Sequence, residues 1–501
     1  MSDIDRRHLL AALGATALPG RAASRQPNIL FICSDQHTSG AVGANGHPIV
    51  KTPHLDRLAA EGTNFQSAYC CNPVCVPSRS SLMTGVFSSD VESYCNSTPF
   101  DGRIPTWGTR LRSVGYHTWA TGKLDLREKY DLGFAENGTA HGHWSDPDIT
   151  SLFRAPVCFR PKERDNANGA FKVREAPDKP KMDRAIRFLK EESAQVGKPW
   201  AAFVGLSKPH PKFEAASRFE GVYPPDKMPL PRWPGGYLER RHSTFQVLAN
   251  FKNVQLPVPE ERVRRARAAY YGLITELDEL IGSILDTLDK TGQRDNTIVV
   301  YTSDHGEMLG EHGLWLKNVL LEQAVRVPMI VAGPGVPKGR TERSAVAQVD
   351  LIATLMKAGG ASTSGLRGHS LFDGSHPGYA YGESHSEGNC TGSFFIREGD
   401  WKYFYFTGDE PLLFDLKDDP GEFQNLAGNR RYADVRRKLD ARLTSLVNPD
   451  EITDRAFQKQ ETVLKGLVKS NKRDEFFDRL VGRLGPAQAR VLTDRYYGRQ
   501  A

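Results

Sequence analysis

Four short apolar runs limit what this chain can fold into. They are Pro27 to Cys33, Trp200 to Ser207, Thr297 to Ser303 and Met329 to Ala332. A run apolar on both faces suits a strand covered by helices on each side, as parallel sheets require. Between the runs lie helical patterns. A short helix is expected from about Pro53, with Leu55, Leu58 and Ala59 on one face and Gly62 to end it. Met182, Ala185, Ile186 and Leu189 keep helical spacing, as do Val263, Ala266, Tyr270, Leu273, Leu277, Ile281 and Ile284. Strands alternating with helices predict an α/β fold: a doubly wound, mostly parallel sheet flanked by helices. Ligands bind such sheets just past the carboxyl ends of the strands. Asp35 and Asp304-His305 fall at such ends.

The pattern changes after about Ser375. Ser393 to Arg397 and Trp401 to Phe406 read as a hairpin around Glu398-Gly399-Asp400, and Tyr432, Val435, Leu439, Leu443 and Leu446 as an amphipathic helix. The expected organisation is a catalytic domain over 27–375 and a smaller α+β C-terminal domain over 376–501, ending in a helical basic tail. A chain of 501 residues, 39% hydrophobic and 25% charged, has room for both. The formal charge is 66 − 60 = +6, and Glu451 to Ala501 holds 11 Lys/Arg against 7 Asp/Glu, or +4 of it. That tail reads as a solvated helical face, with attraction to an anionic polymer as the alternative. The charge is too diffuse for a nucleic-acid partner, and no apolar stretch approaches the ~20 residues of an integral membrane segment. Residues 1–26 resemble a bacterial twin-arginine export signal: Arg6-Arg7 precedes the apolar run Leu9 to Leu18, and Gly20 to Ser24 offers small residues for cleavage. Periplasmic or secreted location is the expectation. Seven cysteines are too few for a disulfide scaffold at this length.

The segment Asn72-Pro73-Val74-Cys75-Val76-Pro77-Ser78-Arg79-Ser80-Ser81-Leu82-Met83-Thr84-Gly85 carries the most chemistry. Pro77 and Ser78 suit a helix start, which sets Cys75 near the positive end of a helix dipole. Cys-x-Pro-Ser-Arg is also the signature that sulfatases present to the formylglycine-generating enzyme, which oxidises the cysteine to Cα-formylglycine. From roughly Pro27 to Leu426 the chain resembles type I sulfatases of the alkaline-phosphatase-like superfamily. The resemblance implies a hydrated aldehyde at Cys75 with two hydroxyls on one carbon. One attacks the sulfur of a sulfate ester and releases the alcohol; the other then expels sulfate by re-forming the aldehyde. It also implies a divalent cation held by Asp35, Gln36, Cys75, Asp304 and His305: Ca2+, with Mn2+ or Mg2+ as alternatives. Gln36 stands where the family usually has a second aspartate, and His305 where many members have asparagine. Arg79 would pair with a formylglycine oxygen. Lys123, in Thr121-Gly122-Lys123-Leu124-Asp125, and Lys317, after Gly310-Glu311-His312-Gly313-Leu314-Trp315-Leu316, match lysines that bind the sulfate. His210, in Pro209-His210-Pro211, matches a histidine that can protonate the leaving oxygen.

Asp125 replaces the histidine of the common Gly-Lys-x-His. Gly-Lys-Leu-Asp, Tyr270-Tyr271, Ser303 to Glu307 and Glu383-x-His385 are similar to the arylsulfatase K type of glucuronate 2-sulfatase. That similarity makes His242 a second leaving-group acid or sulfate donor, and gives His385 a reach to the substrate carboxylate. Phe414-Asp415-Leu416, Asp419-Pro420 and Asn425-Leu426 resemble the family's C-terminal segment. The first reading is hydrolysis of a sulfated carbohydrate, such as a 2-O-sulfated uronate, or of another small sulfate ester; choline sulfate stays open. The alternatives are a phosphonate monoester or phosphodiester hydrolase, which uses the same modified cysteine, and a catalytically dead sulfated-glycan binding protein.

Overall fold

The computed structural model describes residues 26–498 except 127–129, 135–136, 139–147 and 155–156. The expected export signal therefore lies outside the described residues but for Gln26. Among those described, the larger sheet has eight strands: β1 (Asn28–Asp35), β2 (Thr63–Phe65), β3 (His117–Gly122), β4 (Asn137–Gly138), β5 (Trp200–Pro209), β6 (Thr297–Ser303), β7 (Met329–Ala332) and β8 (Arg340–Glu342). Their order is β8-β2-β7-β6-β1-β5-β3-β4. β1 lies at the centre, parallel to β5 and β6, with Phe31 beside Phe203 and Val300. β7 runs antiparallel to β6 and β2, so the sheet is mostly rather than wholly parallel.

Helices α1 (Pro53–Glu61), α2 (Cys75–Thr84), α3 (Lys179–Arg187), α5 (Glu260–Lys290) and α6 (Gln348–Ala358) pack around it, while α4 (Ser243–Phe251) joins the core of the second sheet described below. Successive residues of a strand face opposite sides. Ile29, Phe31 and Cys33 join a core with Leu82 and Met83 of α2 and Leu351, Ile352 and Leu355 of α6. Leu30 and Ile32 join another with Leu55 and Leu58 of α1, Met182 of α3, and Leu277, Ile281 and Ile284 of α5. Each buried large apolar side chain contributes ~1.5–3 kcal/mol, so β1 is held from both faces and its end is a rigid platform.

A second, antiparallel sheet follows: β9 (Tyr379–Ser384), β10 (Ser393–Glu398), β11 (Trp401–Phe406) and β12 (Asp409–Asp415). The β10–β11 turn places Gly399 at φ 60°, the left-handed region that glycine enters without strain. Four helices complete the chain: α7 (Ala433–Leu446), α8 (Pro449–Ser470), α9 (Arg473–Leu484) and α10 (Pro486–Tyr497). The basic tail is not merely a solvated face. Leu464, Phe476, Leu480, Leu484 and Leu492 dock on Ile149, Leu152 and Phe153, while Lys465, Lys469 and Arg490 stay exposed. Among the described residues, no helix is long and apolar enough to cross a membrane.

Lys402 of β11 pins the second sheet to the catalytic unit. Its buried ammonium lies 2.9 Å from Glu322 Oε1 and 2.9 Å from Glu422 Oε1, against the rings of Tyr69, Phe395 and Phe404. Burial, with Glu322 nearby, pushes the Glu422 carboxyl up to about 7. Removing one partner of a buried ion group leaves the others uncompensated, so Lys402→Met is expected to cost ~3–5 kcal/mol in urea unfolding. Because the folded pKa of Glu422 lies above its ordinary 4.5, its contribution to stability falls as pH rises from 4.5 to about 7. Glu422→Gln should remove that part of the pH dependence; an unchanged pH–stability curve would contradict the assignment.

Candidate active site

Cys75 is the first residue of α2, and Val74 before it is extended, at φ −141° and ψ 135°. Its side chain therefore sits at the positive end of the helix dipole. Cys75, Ser78 and Arg79 are spaced i, i+3, i+4 and share one face. That face meets the ends of β1 and β6. Ser78 Oγ–H donates to the Asp304 carbonyl at 2.5 Å. Arg79, 0% exposed, donates from Nε to Asp304 Oδ2 at 2.9 Å and from Nη1 to the Lys123 carbonyl at 2.7 Å. Its Nη2 lies 3.8 Å from Asp35 Oδ2. Burial pushes the Cys75 thiol up to about 12, against the pull of Lys123 and Lys317. The unmodified side chain is a protonated thiol at neutral pH.

Asp35, Cys75, Asp304 and His305 are all buried, and one potential ligand atom of each lies within 4.8 Å of the others. Asp304 is satisfied by protein donors: Oδ1 accepts from the backbone N–H groups of Gln36 at 3.1 Å and His305 at 2.9 Å. Asp35 Oδ1 is buried and has no hydrogen-bond partner. Burial opposes ionisation of Asp35, but Lys123, His210, Arg79 and His305 around it hold its carboxyl well below the usual range. His305 Nδ1–H donates to the Gly306 carbonyl at 3.0 Å, which leaves Nε2 as a lone-pair donor 3.2 Å from the Cys75 sulfur. Burial lowers its pKa to about 4, favouring the neutral ligand form. Two carboxylates, one of them with an orphaned oxygen, and one imidazole fit a divalent cation.

Gln36 is at the site with its amide already engaged. Its oxygen accepts from Lys317 Nζ at 2.7 Å, and its NH2 donates to Glu307 Oε2. Glu307 also accepts from the backbone N–H groups of Leu309 at 2.8 Å and Leu316 at 2.7 Å, so it holds the loop that carries Lys317. Lys317 Nζ lies 3.6 Å from the Cys75 sulfur. Lys123, just past β3, contacts Asp35 Oδ2 and sits 3.0 Å from Asp125 Oδ2. Burial works against the charge of Lys123, yet Asp125 and Asp35 raise its pKa well above the ordinary value. His210, just past β5, donates Nδ1–H to the Pro211 carbonyl at 2.7 Å; burial and then Lys317 hold its pKa well below the usual range.

These groups open into a cavity of about 480 Å³ lined by Cys75, Lys123, Asp125, His210 and Lys317, together with residues that carry no sequence motif. Lys252 is one: its Nζ donates to the Trp315 carbonyl at 2.8 Å and to the Lys317 carbonyl, and burial lowers its pKa to about 7. Asp148, Arg160, Glu163, Glu387 and Arg483 also line it. They come from four separate segments, so no local pattern could have announced them.

Two expected site residues are not brought there. His242 caps α4: its Nδ1 accepts from the Thr244 backbone N–H at 3.3 Å and from Thr244 Oγ1–H at 2.8 Å, and its Nε2–H donates to the Glu410 carbonyl at 2.9 Å. It stacks on Phe406, 4.4 Å between centroids, because the basic loop before α4 packs on the second sheet. His385 is fully buried between Tyr94 and Phe394, 3.2 Å from Glu383 Oε2. It cannot reach a substrate carboxylate from that position. Its partner Glu383 instead braces Ser88 Oγ and the Ser89 N–H, each at 2.7 Å, just beyond α2.

The sequence matches the Sulfatase family model over residues 27–361 and the model for the C-terminal part of N-sulphoglucosamine sulphohydrolase over residues 310–449. The chain belongs to the sulfatase family. As a sulfatase it is a sulfuric ester hydrolase. It is 31% identical to choline-sulfatase of Rhizobium meliloti (strain 1021), covering 81% of this chain and 83% of that protein. It is 28% identical to arylsulfatase K of Bos taurus, covering 85% of this chain and 83% of that one. The phosphonate monoester hydrolase of Agrobacterium radiobacter superposes with a TM-score of 0.69 at 25% identity, over 84% of this sulfatase and 95% of that chain. The family matches reach no further than Pro449, the first residue of α8. A lysine at position 79 of this sulfatase would keep the charge but could not serve Asp304 and the Lys123 carbonyl in the fork geometry of arginine. Arg79→Lys is expected to lose about 2 kcal/mol in urea unfolding, and wild-type stability in that variant would count against the role given to Arg79.

Proposed function

We propose that this sulfatase hydrolyses sulfate esters of a sugar, with a 2-O-sulfated uronate as the favoured substrate, through a formylglycine hydrate at position 75. The supporting observation is the orphaned Asp35 oxygen, buried beside Asp304, His305 and Cys75, the last of which lines the cavity. A divalent cation held by Asp35, Asp304 and His305 with the side chain at 75, and Gln36 beside it, would supply Lewis acidity that lowers the pKa of the hydrate hydroxyl. Calcium is the first choice, with manganese or magnesium as alternatives.

The residues divide the work. One hydroxyl oxygen of residue 75 forms a bond to sulfur as the ester S–O bond breaks. Lys123 and Lys317 offer cationic donors to the sulfate oxygens, where charge builds. His210 lines the cavity as a neutral imidazole, and its Nε2 passes to the departing alkoxide the proton that it takes from the attacking hydroxyl. The second hydroxyl then loses its proton to solvent, the C=O bond re-forms as sulfate leaves with the transferred oxygen, and water adds to the aldehyde to restore the hydrate. Arg79 holds both carboxylates and the start of α2, so the nucleophile does not drift. Cys75 to Thr84 are buried throughout, so the formylglycine-generating enzyme must act on the segment before the fold closes. Export by the twin-arginine route, which carries folded proteins, agrees with that order and makes the protein periplasmic or secreted.

The uronate preference rests on Asp125 in place of histidine, with its ion pair to Lys123, and on the similarity to arylsulfatase K. The phosphonate hydrolase reading has one specific support, the 0.69 TM-score to a phosphonate monoester hydrolase. Parallel kinetics on nitrophenyl sulfate and a phenylphosphonate monoester separate them: kcat/KM is expected to favour the sulfate, and higher phosphonate turnover would reverse the assignment. His210→Ala should lose ~10²–10⁴-fold on an unactivated alkyl sulfate but far less on nitrophenyl sulfate, whose leaving group needs no proton. Equal losses on both would remove His210 as the acid. Asp35→Asn should retain less than stoichiometric divalent metal by elemental analysis after gel filtration; full retention would contradict the proposed ligand set.

A further inference from the structure

One residue from the end of the chain, Arg483, lines the cavity. Phe476, Leu480 and Leu484 recur every four residues along α9 and pack on Ile149, Leu152 and Phe153. Gly485, at φ 77°, then turns the chain, and Pro486 starts α10. Docking of that apolar stripe carries Arg483, the neighbour of Leu484, to the cavity that also holds Cys75, Lys123 and Lys317.

The wall it joins is a cluster of charges. Arg483 Nη1 lies 3.0 Å from Asp148 Oδ2. The same oxygen accepts from Arg160 Nη2 at 3.0 Å. Arg160, 4% exposed, lies over the Phe251 ring and is 3.3 Å from Glu163 Oε1, and its Nε is buried without a partner. Arg160 thus has two carboxylates near it. Arg483 shares one of those and has no other ion partner among the described residues, and its side chain is 53% exposed.

We propose that Arg483, seated by Asp148 beside Arg160, binds a second anionic group of the substrate: the carboxylate of the sulfated uronate unit. The proposal rests on the uronate reading above and assigns to the C-terminal hairpin the task that His385 does not reach. Lys123 and Lys317 are committed to the sulfate end, so a dianionic sugar needs a further cation elsewhere in the cavity. A guanidinium fork matches a carboxylate with two parallel N–H donors, which an ammonium does not. Arg160 fixes Asp148, and Asp148 in turn holds Arg483 in place before the substrate arrives, which reduces the ordering that binding would otherwise require.

The test compares kcat/KM for glucuronate 2-sulfate and for its carboxyl methyl ester in the wild type and in Arg483→Gln. Wild type is expected to favour the carboxylate about tenfold, mainly through KM, and Arg483→Gln to erase the preference. Arg490→Gln, an exposed arginine on α10 away from the cavity, should keep it. If the wild type shows the preference and Arg483→Gln retains it, the assignment of Arg483 falls while the uronate reading survives. If the wild type shows no preference, both fall. If Arg490→Gln loses as much as Arg483→Gln, the effect is general charge and the subsite is excluded. Thermal shifts with the same two esters in the Cys75→Ala background give the comparison without turnover, so failure of the sulfatase reaction itself would be seen separately.

Discussion

Two carboxylates lie side by side in the buried interior, and two cations, Arg79 and Lys123, make that arrangement tolerable. Asp35 and Asp304 end up as neighbours because β1 and β6 are adjacent parallel strands in register, with Ser34 opposite Ser303. An uncompensated buried carboxylate costs several kcal/mol. Lys123 contacts Asp35, while Arg79 pairs with Asp304 and lies 3.8 Å from Asp35, which it can do only if α2 presents its first turn to the strand ends. Cys75 and Arg79 share that face, so neutralising the carboxylates also aims residue 75 at them. The position of residue 75 is a consequence of charge compensation in the core.

The rest of the site is arranged around that pair by longer-range packing. Glu307 and Lys252 both grip the loop that ends at Lys317, one through its backbone N–H groups and the other through its carbonyls. The second sheet is pinned behind that loop by Lys402, since Glu322 belongs to the segment that follows it. Through Glu383 the same sheet braces the residues after α2, and through Glu387 it reaches the cavity wall. The C-terminal domain therefore contacts the segments next to Cys75 and Lys317, and Arg483 of α9 lines the cavity.

Much of this was legible in the sequence, for identifiable reasons. Buried parallel strands need apolar residues on both faces, so β1, β5, β6 and β7 stand out as runs, and the acids that end β1 and follow β6 stand out after them. The nucleophile motif is legible because a helix start concentrates Cys75, Ser78 and Arg79 within five residues. β9 and β12 were not picked out beside their hairpin. The cavity wall was hidden because Asp148, Arg160, Glu387 and Arg483 converge from distant segments, held by contacts that leave no periodic trace. His242 and His385 sit in motif-like surroundings, but a motif does not tell which way a ring points: one caps a helix and the other fills a core.

The central claim is that residue 75 acts as an aldehyde hydrate and not as a thiol. Peptide mass spectrometry across Cys75, on catalytically active protein made in a host that carries the modifying enzyme, tests it most directly. The expected result is a peptide lighter by about 18 Da, the change from a thiol-bearing methylene to an aldehyde. An intact cysteine in a preparation that turns over sulfate esters would contradict it.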